Sequence, residues 1–203
     1  MIAIVDCRIG NTGSIANMLR KCGIPSQAVS LPGEVERAEK LILPGVGSFD
    51  HGMHRLRELD LVSVLSRRVV GDRVPILGIC LGLQLFTERS EEGKESGLGW
   101  VAGQTVRFRF PDGPSPLRVP HMGWNTVAAG ADGDFSSLDA SARFYFVHSY
   151  HVICRQPADV LATTRYGYDF ASVVRHDNIV GVQFHPEKSH RFGLAFLREF
   201  ATR

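Results

Sequence analysis

Apolar runs of strand length alternate with amphipathic stretches through the first half of the chain. Ile2-Ala3-Ile4-Val5 is apolar throughout, and Gly13 to Cys22 carries its apolar positions at helical spacing. Leu41 to Leu43 is a second apolar run, Met53 to Val70 is again amphipathic and expected to be helical, and Val74-Pro75-Ile76-Leu77-Gly78-Ile79 is a third strand. Leu81, Gln84, Leu85 and Glu88 then fall on one helical face. Strands that are apolar on both faces, with helices between them, predict an α/β fold: a mainly parallel central sheet covered on both sides, three layers in all. In such sheets the ligand site lies at the carboxyl ends of the strands.

From Gly97 to Ile179 the pattern shortens. Gln104 to Phe108, Phe144 to Val147, Val160 to Thr164 and Ala171 to Arg175 are β-like runs, separated by turn-rich Pro111-Asp112-Gly113-Pro114 and Ala131-Asp132-Gly133-Asp134. These predict antiparallel additions to the sheet. After the apolar stretch Ile179 to Val182, Ser189 is placed to cap a final helix with Phe192, Ala195, Phe196 and Phe200 as its apolar stripe. No long linker or internal repeat interrupts the pattern, so residues 1–203 are expected to form one domain.

Composition narrows the function classes. Of 203 residues 44% are hydrophobic and 22% charged, ordinary for a globular protein with a substantial core. The net charge is only +2, and neither Arg67-Arg68 nor the arginines between 107 and 118 form a basic run with interleaved aromatics, so nucleic acid is not an expected partner. No apolar run approaches the roughly 20 residues that span a bilayer, and no membrane role is expected. Cys7, Cys22, Cys80 and Cys154 lack C-x-x-C spacing, and the start of the chain lacks a basic region followed by a long apolar one. A reduced, cytoplasmic setting follows as an expectation. His51 and His54 at i,i+3 are too few for a metal site, and no metal or cofactor is expected.

The chemistry concentrates at Gly78-Ile79-Cys80-Leu81-Gly82-Leu83-Gln84 and at Phe184-His185-Pro186-Glu187. Cys80 falls at a strand-to-helix junction with glycines two residues to either side, which permits a sharp turn and leaves the Leu81 N–H facing a developing oxyanion. Lys40 to Gly47 is a strand entering a glycine-rich loop, from which the N–H of Val46 or Gly47 is expected to supply a second oxyanion donor, with a peptide flip if needed. His185 and Glu187, two apart in an extended segment, would project to one side. His185 would then take the thiol proton while Glu187 fixes its tautomer. A cysteine between glycines is also a common small core residue, so the weight rests on the three features together.

These motifs resemble the class I glutamine amidotransferases, whose pattern joins a G-x-C-x-G-x-Q elbow to a late H-P-E, and the resemblance covers nearly the whole chain. Several segments look like the glutaminase subunit of imidazole glycerol phosphate synthase: Gly10-Asn11, Pro44-Gly45-Val46-Gly47-Ser48-Phe49, Pro120-His121-Met122-Gly123-Trp124-Asn125, Tyr145-Phe146-Val147-His148-Ser149-Tyr150 and Gly181 through Ser189. Leu83 stands where relatives with other acceptors often have His. The resemblance implies hydrolysis of glutamine through a Cys80 thioester, with Gly47, Gln84, Ser149 and Tyr150 holding glutamine. It further implies delivery of ammonia to a (β/α)8-barrel cyclase subunit, in a heterodimer that makes imidazole glycerol phosphate and AICAR in histidine biosynthesis. Asn11, Met122, Trp124, Asn125 and Lys188 would lie near the partner. Taken without the family, Gln84 equally suits an exposed helix and Ser149 a turn, while Trp124 better suits a core and Lys188 a solvated surface.

Two stretches depart from the family pattern. Asp6-Cys7-Arg8-Ile9-Gly10-Asn11 replaces the usual Asp-Tyr-Gly-x-Gly-Asn, and Ser189-His190-Arg191-Phe192-Gly193 follows the proposed triad. The second resembles relatives that supply ammonia to amidinate a surface-polysaccharide sugar, which keeps that acceptor open. A non-catalytic subunit of the same fold is the remaining alternative, and the intact Cys80, His185 and Glu187 argue against it.

Overall fold

The structure, a computed structural model, describes residues 1–110, 117–129 and 135–203, so the two turn-rich segments singled out above lie outside the described residues. The apolar runs of the first half become β1 (Ile2–Val5), β3 (Lys40–Gly45) and β4 (Ile76–Cys80), and β2 (Ser26–Val29) is a further strand that no apolar run announced. Between and after them come α1 (Thr12–Lys21), α2 (Pro32–Val35), α3 (Phe49–Glu58), α4 (Leu61–Ser66) and α5 (Leu81–Leu85). The second half adds β5 (Arg89–Ser90), β6 (Gly103–Arg107), β7 (His121–Thr126), β8 (Ala128–Ala129), β9 (Arg143–His148), β10 (Tyr150–Cys154), β11 (Val160–Tyr166), β12 (Tyr168–His176) and β13 (Ile179–Val182), then α6 (His190–Thr202).

Among the described residues the main sheet runs β2-β1-β3-β4-β13-β12-β10-β6-β5, with β11 on β12 and β8 on β11. Neighbours from β2 through β13 are parallel, whereas β12 pairs antiparallel with β13, β10 and β11. Of the parallel strands, β1, β3, β4 and β13 bury both faces, whereas the edge strand β2 leaves Gln27 and Ala28 exposed. Ala3, Val5, Leu41, Leu43 and Ile76 pack into one core, and Ile2, Ile4, Ile42, Leu77 and Ile79 into the other. That period-two division is why these strands look uniformly apolar in sequence. No helix among the described residues is long and apolar enough to cross a membrane.

Several local expectations need correction. The helical stretch Met53 to Val70 is broken at Asp60, which takes a left-handed φ of 55°, and its tail Arg67–Gly71 winds as a π turn. α5 stops at Leu85 rather than Glu88: the Thr87 hydroxyl donates to the Gln84 carbonyl at 2.8 Å, and Glu88 N–H crosses to Gly103 O at 3.1 Å. Ser189 precedes α6, but its hydroxyl donates to His185 O at 2.6 Å and accepts from Tyr145 N–H at 3.0 Å instead of capping the helix. Along α6, Ala195 is exposed, and Gly193 and Leu197 join Phe196 and Phe200 on the buried side. β7 and β9 do not extend the main sheet. They pair with each other as a separate antiparallel ribbon.

Candidate active site

The strands that carry the candidate chemistry are neighbours: β3, β4 and β13 lie side by side, and their carboxyl ends meet. Register places Gly45 opposite Cys80 and Val182 opposite Ile79. Cys80 closes β4 with φ 54° and ψ −108°, a backbone conformation that costs a non-glycine residue on the order of 1–3 kcal/mol. The flanking glycines make room for it. A Cβ on Gly82 would sit 1.9 Å from the Leu43 carbonyl oxygen, and one on Gly78 would sit 2.5 Å from the Phe86 ring. The sulfur opens onto a cavity of about 490 Å³ that Val46, Gly47, Leu81, Gln84, Ser149, Tyr150, His185 and Lys188 also line.

His185 and Glu187 meet, but not through the extended geometry expected from sequence. Pro186–Lys188 is a 3₁₀ turn, and it folds the carboxylate back onto the ring: His185 Nδ1 donates to Glu187 Oε1 at 2.7 Å. The His185 backbone is fixed from outside the turn by its N–H bond to Tyr145 O at 2.9 Å. Both side chains are buried, and His185 Nε2 is left without a hydrogen-bond partner. Burial alone would lower the pKa of His185. Cys80 and Glu187 outweigh it and raise the value to about 10, so the ring is an imidazolium at neutral pH. An imidazolium beside a cysteine stabilises the thiolate form.

The Val46 loop is not set as an oxyanion donor. Val46 N–H donates to Ile9 O at 2.5 Å, while its side chain is exposed at the cavity rim. Gly47, at φ 105°, gives this loop a backbone conformation that L side chains rarely adopt.

Behind the cavity lies a polar chain that sequence patterns did not reveal. Gln84 Nε2 donates to Tyr150 O and to Gln183 Oε1, both at 3.1 Å, and Gln183 Nε2 lies 3.5 Å from Cys80 Sγ. On the other side, Tyr150 O accepts from His148 Nδ1 at 2.8 Å, and His148 Nε2 lies 3.0 Å from His121 Nδ1. Asn125 fixes the protons along this arm. Its Oδ1 accepts from Thr126 N–H at 2.8 Å, and its Nδ2 donates to Arg165 O at 3.0 Å and faces His121 Nε2 at 3.3 Å. An amide nitrogen only donates, so His121 Nε2 accepts, His121 Nδ1 donates to His148, and both rings are neutral. Burial lowers the pKa of His121 to about 4 and that of His148 well below its ordinary value, in accord with this assignment. Glu92 is a further residue at the cavity, where burial raises its pKa and its carboxylate accepts from Phe49 N–H at 2.8 Å. Among the described residues no group of three or more His, Cys, Asp or Glu side chains converges as metal ligands.

The family model for class I glutamine amidotransferases matches residues 3–203. The chain belongs to that family. It is 49% identical to the imidazole glycerol phosphate synthase subunit HisH 2 of Methanococcus maripaludis, with 98% of each chain covered. It is 46% identical to the protein of the same name in Pseudomonas aeruginosa, again with 98% of each covered, and 44% identical to subunit HisH of Leptospira interrogans over the whole of both. Among solved structures, a glutamine amidotransferase superposes with TM-score 0.73 at 20% identity, covering 100% of this chain and 99% of the other. A putative GMP synthase subunit from Thermoplasma acidophilum gives TM-score 0.69 at 22% identity, covering 99% and 92%. At those identities the two structures speak to the fold.

In this amidotransferase the residues expected near a partner separate into two groups. Met122 and Trp124 are exposed on β7, and Lys188 lines the cavity with its Nζ 5.8 Å from the centre of the Tyr145 ring. Trp124 meets Tyr145 edge-on at 6.2 Å and stacks on His190 at 5.4 Å with the planes 6° apart. Asn11 and Asn125 are engaged within the fold instead: Asn11 Oδ1 caps α1 by accepting from Ser14 N–H at 3.1 Å, and Asn125 holds His121.

Proposed function

We propose that this chain is the glutaminase subunit of an imidazole glycerol phosphate synthase, one domain over residues 1–203, with Cys80 as nucleophile, His185 as acid and base, and Glu187 as its anchor. The observation that carries the chemistry is the buried 2.7 Å His185–Glu187 bond beside a strained cysteine elbow. The relatives named above carry the choice of subunit.

Cys80 as thiolate attacks the side-chain carboxamide carbon of glutamine. The C–S bond forms as the carbonyl electron pair moves to oxygen, where the Leu81 N–H and a donor from the Val46–Gly47 loop receive it. Each such donor is worth roughly 2.7–4 kcal/mol to the transition state. Collapse expels ammonia with the proton from His185 Nε2. Water then gives its proton to His185, attacks the thioester and releases glutamate, restoring the thiolate and the imidazolium. Gln84 uses both amide protons internally and keeps Oε1 for the substrate's α-ammonium group, with the Glu92 carboxylate as a second acceptor. Because Val46 N–H is spent on Ile9, this conformation is idle until that peptide turns.

Ammonia protonated in bulk water is a poor nucleophile, so the product needs a shielded route into a cytoplasmic partner. We infer a heterodimer with a (β/α)8-barrel cyclase docked over Met122, Trp124 and Lys188. A nucleotide-sugar acceptor is the second possibility. Two observations favour a modified partner surface: Arg8 and Ile9 belong to the loop that holds Val46, and His190 covers Trp124. Glutamine hydrolysis by the partner-loaded complex, with an imidazole-pathway ribonucleotide or a nucleotide sugar as acceptor, decides between them. Turnover no faster than that of the Cys80→Ala complex would sink the enzyme assignment.

A further inference from the structure

We propose that Gln183 is a further catalytic residue, whose side-chain amide donates to the Cys80 sulfur and stabilises its thiolate. The inference rests on Cys80 being the nucleophile. Strand register brings the two together: Val182 is opposite Ile79, so the next residue along β13 falls beside Cys80. Gln183 is 0% exposed and its backbone is held by an N–H bond to Ser172 O at 2.9 Å, leaving the side chain no route to water.

The orientation of the amide is determined by its neighbours. Tyr150 O is purely an acceptor, so Gln84 must present Nε2 to it, and the same nitrogen donates to Gln183 Oε1 at 3.1 Å. Gln183 therefore turns Nε2 toward Cys80 Sγ, 3.5 Å away. His148 reinforces this order from the far side by donating to the same Tyr150 carbonyl. A glutamine that only tied strands together would spend its buried N–H on a carbonyl oxygen. A thiol sulfur is a weak acceptor, whereas a charged acceptor roughly doubles the strength of a hydrogen bond. The arrangement suits a sulfur that spends its resting time as an anion, with the imidazolium of His185 on one side and Gln183 on the other. When the sulfur attacks, its charge passes to the carbonyl oxygen. The donor stays in place to receive the thiolate again on deacylation.

The test is the pH dependence of Cys80 alkylation by iodoacetamide in the full chain, followed on the Cys80 peptide by mass spectrometry. The other ionisable groups around the cavity are His185 with Glu187 behind it, His148, Glu92, Lys188 and Tyr150, and all are retained in the variant. Burial pushes the Cys7 and Cys154 thiols up to about 12, so neither competes near neutrality. Gln183→Met keeps the side-chain length and removes the donor. It should move the alkylation midpoint up by about one pH unit and slow alkylation at neutral pH about tenfold. A profile identical to wild type overturns the proposal. If Gln183→Met does not fold, wild-type protein labelled with ¹⁵N at its glutamine side chains decides. The Gln183 amide protons should shift with the titration of Cys80 and lose that response in Cys80→Ala, and amide signals indifferent to both overturn the proposal. Glutamine turnover by Cys80→Ala judges the nucleophile separately, so the two assignments fail independently.

Discussion

His185 and the His121–His148 pair are almost equally shut off from water, at 1%, 3% and 5% exposure, yet one ring is held charged and the other two neutral. Desolvation penalises the cation in all three. Only at His185 does a carboxylate stand 2.7 Å from one nitrogen and a cysteine beside the other. His148 and His121 face each other, a carbonyl and a carboxamide, all of which are satisfied by neutral rings. Depth of burial therefore does not set the role. The partner does, and the same residue type is held charged beside a cysteine in one place and neutral within a hydrogen-bonded chain in the other.

The largest expected effect separates the two sites by function. His185→Ala should lower kcat for glutamine about 10⁴-fold or more in the partner-loaded complex, whereas His121→Phe should lower it less than about tenfold. Equal losses would erase the distinction. Glu187→Gln should lower kcat by about 10²- to 10⁴-fold, because the ring loses the anion that holds its tautomer and its charge. A Glu187→Gln variant with a normal rate would show that Cys80 alone sustains the imidazolium.

The two sites should also fail at opposite ends of the pH scale. His121 has a folded pKa of about 4 against an ordinary 6.5, so its contribution to stability is present above 6.5 and is lost as pH falls through about 4. The loss should reach about 2–3 kcal/mol in chemical denaturation, and His121→Phe should abolish that part of the acid transition. His185 has a raised pKa, so its contribution is full below 6.5 and is lost as pH rises through about 10. Acid sensitivity unchanged in His121→Phe would break the contrast. The smallest effect belongs to the exposed face of β7: Trp124→Ala should weaken partner affinity about tenfold in calorimetry while leaving the denaturation midpoint in place.

Local signals carried much of the fold and of the proposed site. The inner parallel strands were visible because strands buried on both faces are apolar nearly throughout, as in β1 and β4, whereas the half-exposed edge strand β2 carried no such run. Cys80, His185 and Glu187 were visible because each lies in a short motif. The failures come from two sources that apolar spacing does not register, single backbone or side-chain choices and contacts with residues distant in sequence. Asp60 breaks a helix whose apolar spacing continues past it, and Thr87 ends α5 where the helical face still included Glu88. The His185–Glu187 contact was anticipated for the wrong backbone, since nothing within His-Pro-Glu distinguishes a strand from a 3₁₀ turn. Gln183, His121 and His148 lie in segments that carry the family resemblance, but nothing local gave any of them a role. Their roles exist only once β13 is in register with β4 and β7 with β9.

The opposition between the two histidine sites is tested most directly by a ¹⁵N NMR titration of the imidazole nitrogens in the full chain. His185 should keep both ring protons through neutral pH and lose one only near pH 10, while His121 should carry a single proton down to about pH 4. If His185 instead titrates near its ordinary 6.5, the charged centre beside Cys80 does not exist and the assignment of its chemistry is contradicted.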